Sequence, residues 1–225
     1  MIPTKLSPIH DVAAQAGATM GKRAGWLVAQ RFAGATADLT TGVGLVDESH
    51  CGKIIIHGDD AGRLLTAFGL TTPESIGEGV VTESLAAYRL RPDQIFINTA
   101  PGAEAEVLSS LSSAQREDEH VTISDLTHGR AQLRLIGVAT AELLSRACPL
   151  DLRATAFPDR TARQSSVAKT TQLIIRHDLN SGQLPSFVLI GARSFGAYLW
   201  DTLFDLGREL AVQPLGTDDF SQIIG

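Results

Sequence analysis

The feature of the sequence that most constrains its fold is an internal repeat. The first copy runs from Asp47 to Leu65 and the second from Asp125 to Leu144. Each copy begins with Asp-x-hydroxyl-His and continues through a β-rich stretch to a glycine. Each then reaches a Leu-Leu pair six and seven residues beyond that glycine, and the second copy holds one extra residue. Chance similarity of two strand–turn–helix units is the alternative, but the matched spacing favours duplication.

Both copies predict the same three elements in the same order. An aliphatic run predicts a strand, the glycine predicts a tight turn, and the Leu-Leu pair supplies the buried face of a helix. Asp47 and Asp125 are interpreted as turn-capping residues rather than catalytic ones, because both copies keep them at one position. The strands are predicted at residues 54–56 and 133–136, the turns at Gly58 and Gly137, and the helix caps at Asp59 or Asp60 and at Thr140.

The rest of the chain interleaves further strands and helices. Strands are predicted at residues 80–81, 85–90, 94–99, 167–176 and 186–190, and helices at 103–115 and from Ser194 onward, with residues 151–163 irregular. We therefore expect an α+β fold with internally duplicated strand–helix units. Residues 1–150 are predicted to form the duplicated core, and residues 151–225 a strand–strand–helix segment that packs on it.

Composition excludes several classes of partner. The 225 residues are 44% hydrophobic and 20% charged, which is typical of a globular protein. A net charge of −6 and only 5% aromatic residues argue against nucleic acid or an anionic membrane as the main partner. Residues 1–5 show no signal-peptide pattern, and Cys51 and Cys148 are too few for a disulfide framework. The expected location is the cytoplasm.

Neither a nucleotide loop nor a metal motif is readable. Gly42-Val43-Gly44 is followed by Asp47 where a dinucleotide fingerprint needs a small residue, and Gly17 to Lys22 is one residue short of a P-loop. The six histidines form no His-x-x-x-His pair. We therefore expect no flavin, no metal and no catalytic residue on this chain.

The N-terminal half resembles the folate-dependent aminomethyltransferase superfamily, whose type member is the T-protein of the glycine cleavage system. The resemblance lies in the segments Leu6-Ser-Pro-Ile-His-Asp11, Gly17-Ala-Thr-Met-Gly21, Ala24-Gly-Trp26 and Gly42-Val-Gly-Leu-Val-Asp-Glu-Ser-His-Cys-Gly-Lys53. It implies the T-protein-like folate-binding fold and a place in one-carbon metabolism.

The C-terminal half is similar to one branch of that superfamily, the gamma subunit of heterotetrameric sarcosine oxidase. The similarity lies in Cys148-Pro-Leu-Asp-Leu152, Ala156-Phe-Pro158, residues 162–169 and Ala192-Arg-Ser-Phe195 with Tyr198-Leu-Trp200 and Leu203. It implies larger flavoprotein subunits as partners in a hetero-oligomer.

Departures from the catalytic members limit what the resemblance implies. Those members carry paired aspartates after a Gly-Gly-hydrophobic stretch, whereas here Thr82 and Glu83 follow Gly79-Val-Val81. Asn98 matches the family's Asn after the next strands. The resemblance thus implies tetrahydrofolate as the cofactor, with Glu83 orienting the folate amine and Asn98 the pterin. A late Gly-Glu-x-Gly-aromatic-Glu segment is missing, and no barrel domain is expected beyond residue 225.

Two functions are inferred as hypotheses. The first is a non-catalytic, gamma-type subunit of a sarcosine oxidase-like oxidoreductase complex. The alternative is a stand-alone tetrahydrofolate-binding aminomethyltransferase or demethylase, which rests on the N-terminal match together with Glu83 and Asn98. A scaffold of the iron–sulfur-assembly branch is disfavoured, because its Lys-Gly-Cys-Tyr-x-Gly-Gln motif has no counterpart here.

Overall fold

The computed structural model describes residues 4–34 and 37–224. Residues 1–3, at the start of the segment predicted to lack a signal peptide, lie outside the described residues. The elements in chain order are β1 (Lys5–Leu6), α1 (His10–Gln15), β2 (Ala18–Arg23), β3 (Trp26–Phe32), β4 (Val43–Asp47), β5 (Cys51–His57), α2 (Ala61–Ala67), β6 (Gly79–Val81), β7 (Leu85–Arg91), β8 (Gln94–Pro101), α3 (Glu104–Ala114), β9 (Thr122–Asp125), β10 (Arg130–Ile136), α4 (Thr140–Ser145), β11 (Thr161–Val167), β12 (Thr170–Arg176), β13 (Ser186–Ala192), α5 (Gly196–Leu206), β14 (Val212–Leu215) and α6 (Thr217–Ile224).

The chain divides into two compact units. Unit 1 holds residues 1–50, 130–159 and 164–225, and unit 2 holds residues 51–129 and 160–163. The chain therefore crosses from unit 1 to unit 2 after His50 and returns after Gly129. The first crossing directly follows the Asp-x-hydroxyl-His motif of the first copy, and the second follows the motif of the second copy by one residue. The predicted division into residues 1–150 and 151–225 stays a prediction.

Matching sheets confirm the predicted α+β class and the duplication. The sheet of unit 2 has the order β6-β7-β8-β5-β9, and the six-stranded sheet has the order β11-β12-β13-β10-β4-β14. The first five strands of the six-stranded sheet repeat the order of the unit 2 sheet, with β11, β12 and β13 in the places of β6, β7 and β8. In the next two places, β10 corresponds to β5 and β4 corresponds to β9. The strand that ends at the first residue of each copy therefore lies in one unit and the strand inside that copy lies in the other, since β4 pairs with β10 and β9 pairs with β5. A separate sheet of order β1-β3-β2 belongs to unit 1.

Each unit buries its own apolar core on one face of its sheet. In unit 2, β5 and β8 turn aliphatic side chains toward α2 and α3, where Leu64, Leu65 and Leu111 are fully buried. In unit 1, the core gathers strands β4, β10, β12 and β13 under α4 and α5, around Leu133 and Trp200. None of the helices among the described residues combines the length and the apolarity that crossing a membrane requires.

The predicted side-chain caps of the two repeat helices were wrong. Asp60 occupies the N-cap of α2 but makes no side-chain cap bond, and Ala139 is the N-cap of α4. In both copies the carbonyl oxygen of the glycine accepts the hydrogen bond from the first helical N–H instead. Gly58 O accepts from Ala61 N at 3.0 Å, and the equivalent Gly137 O accepts from Thr140 N at 3.2 Å.

The predicted strand over residues 167–176 was also wrong in extent. The structure forms a hairpin instead, in which β11 ends at Val167 and β12 begins at Thr170. The two turn residues, Ala168 and Lys169, have φ of 48° and 62°. Positive φ at both positions is typical of a type I′ turn, for which glycine or asparagine is the usual signal. The sequence shows neither, so the turn was not predicted. The helix predicted from Ser194 begins two residues later, at Gly196.

Candidate functional site

The repeated motif forms the same turn in both copies. Asp47 Oδ1 accepts a hydrogen bond from Ser49 N at 3.0 Å, and Asp125 Oδ1 accepts one from Thr127 N at 2.8 Å. Such bonds from a side chain to the backbone two residues ahead define an Asx turn. They confirm the interpretation of both aspartates as turn-capping residues. Asp47 is buried and also accepts a bond from the Ser7 hydroxyl.

The hydroxyl of each motif bonds the neighbouring strand of its own unit. Ser49 Oγ accepts from Gln132 N at 3.0 Å in unit 1, and Thr127 Oγ1 accepts from Lys53 N at 3.0 Å in unit 2. This equivalence of Gln132 with Lys53 places the extra residue of the second copy in its turn, at Gly129. The hydroxyl of each motif therefore fixes its position along the neighbouring strand, which is β10 for Ser49 and β5 for Thr127.

The two copies differ at the position directly after the aspartate. The first copy has Glu48, which is buried in unit 1, and the second has Leu126. Arg134 Nε donates to Glu48 Oε1 at 2.9 Å, and Gln132 Nε2 donates to Glu48 Oε2 at 3.1 Å. Arg134 Nη1 also donates to Ser186 Oγ at 3.0 Å. Glu48, Gln132, Arg134 and Ser186, which we call the Glu48 network, form a buried polar group with both carboxylate oxygens bonded.

The charge of Glu48 is stabilised by this network. Burial raises the pKa of its carboxyl, but the Arg134 guanidinium and the hydrogen bonds from Arg134 and Gln132 outweigh burial and lower the pKa below its usual value. The ring of Phe220 lies 5.5 Å from the guanidinium carbon of Arg134. Glu48 is therefore ionised at neutral pH and paired with Arg134. Both of its oxygens accept hydrogen bonds within the protein, so we assign it a structural role and not that of a general base.

Asn98 lies on β8 in unit 2, beside β5. Its Nδ2 donates to Gly52 O at 2.8 Å, and it is half-buried. Register pairs it with Lys53 on β5 and with Ala86 on β7, so these three side chains share one face of the sheet. Lys53 is fully buried, and its Nζ donates to Cys51 O at 2.6 Å. The face opposite the apolar core of unit 2 is thus polar beside Asn98.

Glu83 lies in the turn that joins β6 to β7, and it is exposed. Thr82 closes this turn, because its N donates to Leu85 O at 2.9 Å and its Oγ1 accepts from Leu85 N at 3.2 Å. Ser84 O accepts from Ala100 N, two residues beyond Asn98. The structure therefore brings the two predicted cofactor-binding residues to the same end of the unit 2 sheet, one half-buried and the other exposed.

Sequence reasoning missed the buried charged residues. Arg134 stands inside the apolar run 133–136, and Lys53 directly precedes the run 54–56. A long cation at a strand position with buried neighbours is a signal that could have found both, since such residues are rarely buried without partners. Among the described residues, no group of three or more His, Cys, Asp or Glu side chains is placed to hold a metal ion.

Comparisons with known proteins agree with this architecture. Residues 9–222 match the model of the GCVT N-terminal domain. The aminomethyltransferase of Mycobacterium avium (strain 104) is 28% identical over 176 residues, which cover 71% of this chain and 47% of that protein. The aminomethyltransferase of Saccharopolyspora erythraea is 24% identical and is covered to 62% of its length. The chain therefore spans less than two thirds of the length of these aminomethyltransferases.

Sarcosine oxidase appears among both the sequences and the structures. The alpha subunit of Corynebacterium sp. (strain U-96) is 24% identical over 192 residues, which cover 78% of this chain and 20% of that protein.

Two solved structures share the fold. The glycine cleavage aminomethyltransferase T of Bartonella henselae matches with a TM-score of 0.78 and 19% identity over 96% of this chain and 60% of its own. A chain of heterotetrameric sarcosine oxidase from Corynebacterium sp. U-96 matches with a TM-score of 0.72 and 22% identity over 91% of this chain and 95% of its own. The predicted resemblance to the T-protein and to sarcosine oxidase is confirmed, and the chain belongs to the family of the GCVT N-terminal domain.

Proposed function

We propose that this chain is an accessory, gamma-type subunit of a sarcosine oxidase-like complex in folate-linked one-carbon metabolism. In this proposal the larger partner chains carry the flavin and oxidise an N-methyl amine, and this chain supplies no catalytic residue. The observation that carries the proposal is Glu83. Where the catalytic relatives are expected to hold paired aspartates, this chain has Thr82, which closes a turn, and an exposed Glu83.

Exposure weakens Glu83 as an acid for folate chemistry. A carboxylate that acts on a bound one-carbon unit needs a site from which water is excluded, because charge interactions are much stronger there. Water screens an exposed carboxylate, and a displacement of the group by about 1 Å can lower the rate about 100-fold. The match to a sarcosine oxidase chain over 95% of that chain's length supports the same proposal.

A second candidate is a tetrahydrofolate-binding aminomethyltransferase or demethylase, and Asn98 favours it. Its amide is held at a fixed position by Gly52 O and is only half-buried. Asn98 would contact the pterin ring, and the Glu83 carboxylate would accept hydrogen bonds from the folate amine groups. Tetrahydrofolate would supply the carrier of the one-carbon unit. Asn98 and Glu83 are chemically suited to bind the pterin and the folate amine. Glu83 is exposed, however, whereas the folate amine would need a buried acceptor.

Isolation of the protein from its native source and titration calorimetry with tetrahydrofolate together separate the two candidates. The accessory proposal expects a complex with a flavin-carrying chain when the tagged protein is isolated from its native source, whether or not folate binds. A chain isolated as a stable monomer that binds tetrahydrofolate and transfers the aminomethyl group would overturn the accessory proposal. Absence of heat at millimolar tetrahydrofolate would overturn the second candidate.

A further inference from the structure

The two matching sheets differ at one edge. In unit 1, β14 runs parallel to β4 and forms the edge of the sheet. In unit 2, β9 takes the place of β4, and within residues 4–34 and 37–224 no strand pairs with its outer edge. Every residue of β4 is buried, whereas every residue of β9 is exposed or half-buried. The outer edge of β9 is therefore open where the equivalent edge in unit 1 holds a strand.

The hydrogen bonds of β9 determine which of its backbone groups face outward. Leu126 N donates to Lys53 O at 2.7 Å, so the backbone groups of Leu126 point toward β5. Successive residues of a strand point these groups in opposite directions, and Ile123 and Asp125 therefore turn their N–H and C=O groups away from β5. In the part of the chain that the structure describes, these groups have no hydrogen-bond partner. They are available to an added strand.

Unit 1 shows what geometry such an edge accepts. Glu48 N donates to Gln132 O at 2.9 Å, and the same alternation turns the backbone groups of Leu45, the equivalent of Ile123, toward β14. Pro214 lies in register with Leu45. In a parallel pair a residue bonds to the neighbours of the residue in register with it, so the N–H that proline lacks is not needed there. An equivalent strand beside β9 would bond Ile123 in the same way.

The apolar core of unit 2 is incompletely covered at β9. Val121 and Ile123 pack against this core but are only partly buried, and so are Leu108 and Ala114 of α3, the helix that contacts β9. In unit 1, the added strand β14 contributes Val212 to the core, where it is buried. A strand beside β9 would cover part of this apolar surface if an apolar side chain stood in register with Ile123.

The charge of unit 2 selects among the strands that could bind. Unit 2 holds twelve Asp and Glu residues against seven Lys and Arg residues, and so carries five of the six net negative charges of the chain. Residues 117–119, Glu-Asp-Glu, lie shortly before β9. Such a surface attracts a cationic segment and repels a second copy of the same unit.

We propose that the outer edge of β9 binds an extended, cationic segment of a partner protein as a parallel strand, in the way that β4 binds β14. Basic residues of the segment alternate with apolar ones. An apolar side chain lies beside Ile123, and the backbone groups of the basic residues bond to Ile123 and Asp125. Affinity comes from main-chain hydrogen bonds and specificity from the alternating side chains, as in other cases of strand addition. The inference does not rest on the proposed function, and it is compatible with a subunit or a transferase.

The test uses the full chain and the peptide Lys-Val-Lys-Val-Lys-Val-Lys, with binding measured by fluorescence anisotropy. In the parallel arrangement, the lysine N–H groups face β9 and the valine N–H groups face away. N-methylation of the lysine backbone nitrogens is therefore expected to weaken binding at least about tenfold. N-methylation of the valine nitrogens is the matched control and should leave binding unchanged. Glutamate in place of lysine should also weaken binding at least about tenfold, and less so at high salt.

Amide hydrogen exchange, measured by NMR with and without the peptide, locates the binding site on the unmodified protein. The peptide is expected to slow the exchange of the Ile123 and Asp125 amides. The Thr122 and Ser124 amides, which face β5, should change little.

Each contrary outcome overturns the proposal in a different way. Absence of binding at millimolar peptide, or binding without slower exchange at Ile123 and Asp125, would show that this edge is not a binding site. Weakening by valine methylation instead of lysine methylation would show an antiparallel strand, against the geometry of β14. Protection of the two amides that rises with protein concentration in the absence of peptide would show that a second copy of the chain occupies the edge, against the cationic partner.

Discussion

Arg134 Nε donates a hydrogen bond of 2.9 Å to Glu48 Oε1, and both side chains are buried in unit 1. This ion pair makes the folded state depend on the ionisation of Glu48. Its folded-state pKa is lowered, so the stabilisation is fully present above the unfolded pKa, about 4.3, where the carboxyl is ionised in both states. It is lost as the pH falls below that value through the lower folded-state pKa.

We therefore predict that Glu48→Gln lowers the free energy of unfolding at pH 7 by about 3–5 kcal/mol, because Arg134 is left buried without its counter-charge. The variant should also lose part of the pH dependence of stability below about pH 4.3. Urea denaturation at several pH values measures both effects. The control is Asp151→Asn, which removes the partner of the exposed Arg153 and should change stability at pH 7 far less than Glu48→Gln does, because water screens an exposed ion pair. Equal slopes for the wild type and Glu48→Gln in acid would contradict the assignment.

The hydroxyl groups of the repeated motif, on Ser49 and Thr127, give a second prediction. Thr127→Val leaves the buried N–H of Lys53 without its acceptor, and we expect a loss of about 1–3 kcal/mol in the free energy of unfolding. Ser49→Ala should act in the same way on Gln132 N in unit 1. Thr127→Ser keeps the acceptor and is the matched control. Denaturant unfolding measures all three. Thr127→Val keeps the methyl group and loses only the hydroxyl, so an unchanged free energy of unfolding in Thr127→Val would contradict the role assigned to the hydroxyl.

The glycines that end the repeat strands give a third prediction. Gly58 has φ of 138° and Gly137 has φ of 123°, and a Cβ at either would clash with a backbone oxygen, of His120 and of Gly42 respectively. Gly58→Ala and Gly137→Ala should each cost at least about 1–3 kcal/mol from backbone strain, with the clash in addition. Gly25 has φ of 80° and open space around its Cβ position. Gly25→Ala should therefore cost less than either in thermal unfolding, and a larger cost would refute the role of the clash.

The repeat made much of the architecture predictable, because spacing is a property of the chain. Matched Asp, hydroxyl, glycine and Leu-Leu positions required two equivalent strand–turn–helix units. Spacing did not reveal that β4, which ends where the first copy begins, and β5, which lies inside that copy, belong to different units. Strand exchange depends on long-range pairing, and a pattern within a single copy holds no information about its partner.

The candidate site was predictable to a smaller extent. Asn98 and Glu83 could be selected because their positions correspond to those of the family's residues. Their exposure and hydrogen bonds could not be predicted, because these depend on neighbours that are distant in sequence. Lys53 and Glu48 were missed because charged residues are normally expected at the surface. The turn at Ala168 and Lys169 was missed because neither residue is a usual former of a left-handed turn.

That turn gives a fourth prediction. Lys169 is exposed and has φ of 62°, and a side chain in this conformation costs roughly 1–2 kcal/mol relative to glycine. Lys169→Gly should therefore raise the free energy of unfolding, by up to about 1 kcal/mol after the extra freedom of glycine in the unfolded chain is subtracted. Lys22→Gly is the contrasting variant, because Lys22 is exposed within β2. It should be destabilised, and a destabilised Lys169→Gly would contradict the predicted relief of strain.

The two proposed cofactor-binding residues give the last prediction, because their surroundings differ. Asn98→Ala removes the donor to Gly52 O and should lower the free energy of unfolding by about 0.5–1.5 kcal/mol. Glu83→Gln alters an exposed turn residue and should change it by less than about 0.5 kcal/mol. Thermal unfolding of each variant is compared with calorimetric titration of tetrahydrofolate. If the wild-type chain does not bind tetrahydrofolate, Asn98→Ala changes only stability. If tetrahydrofolate binds the wild type and Glu83→Gln weakens that binding without any change in stability, Glu83 touches the ligand and the transferase alternative gains its direct support.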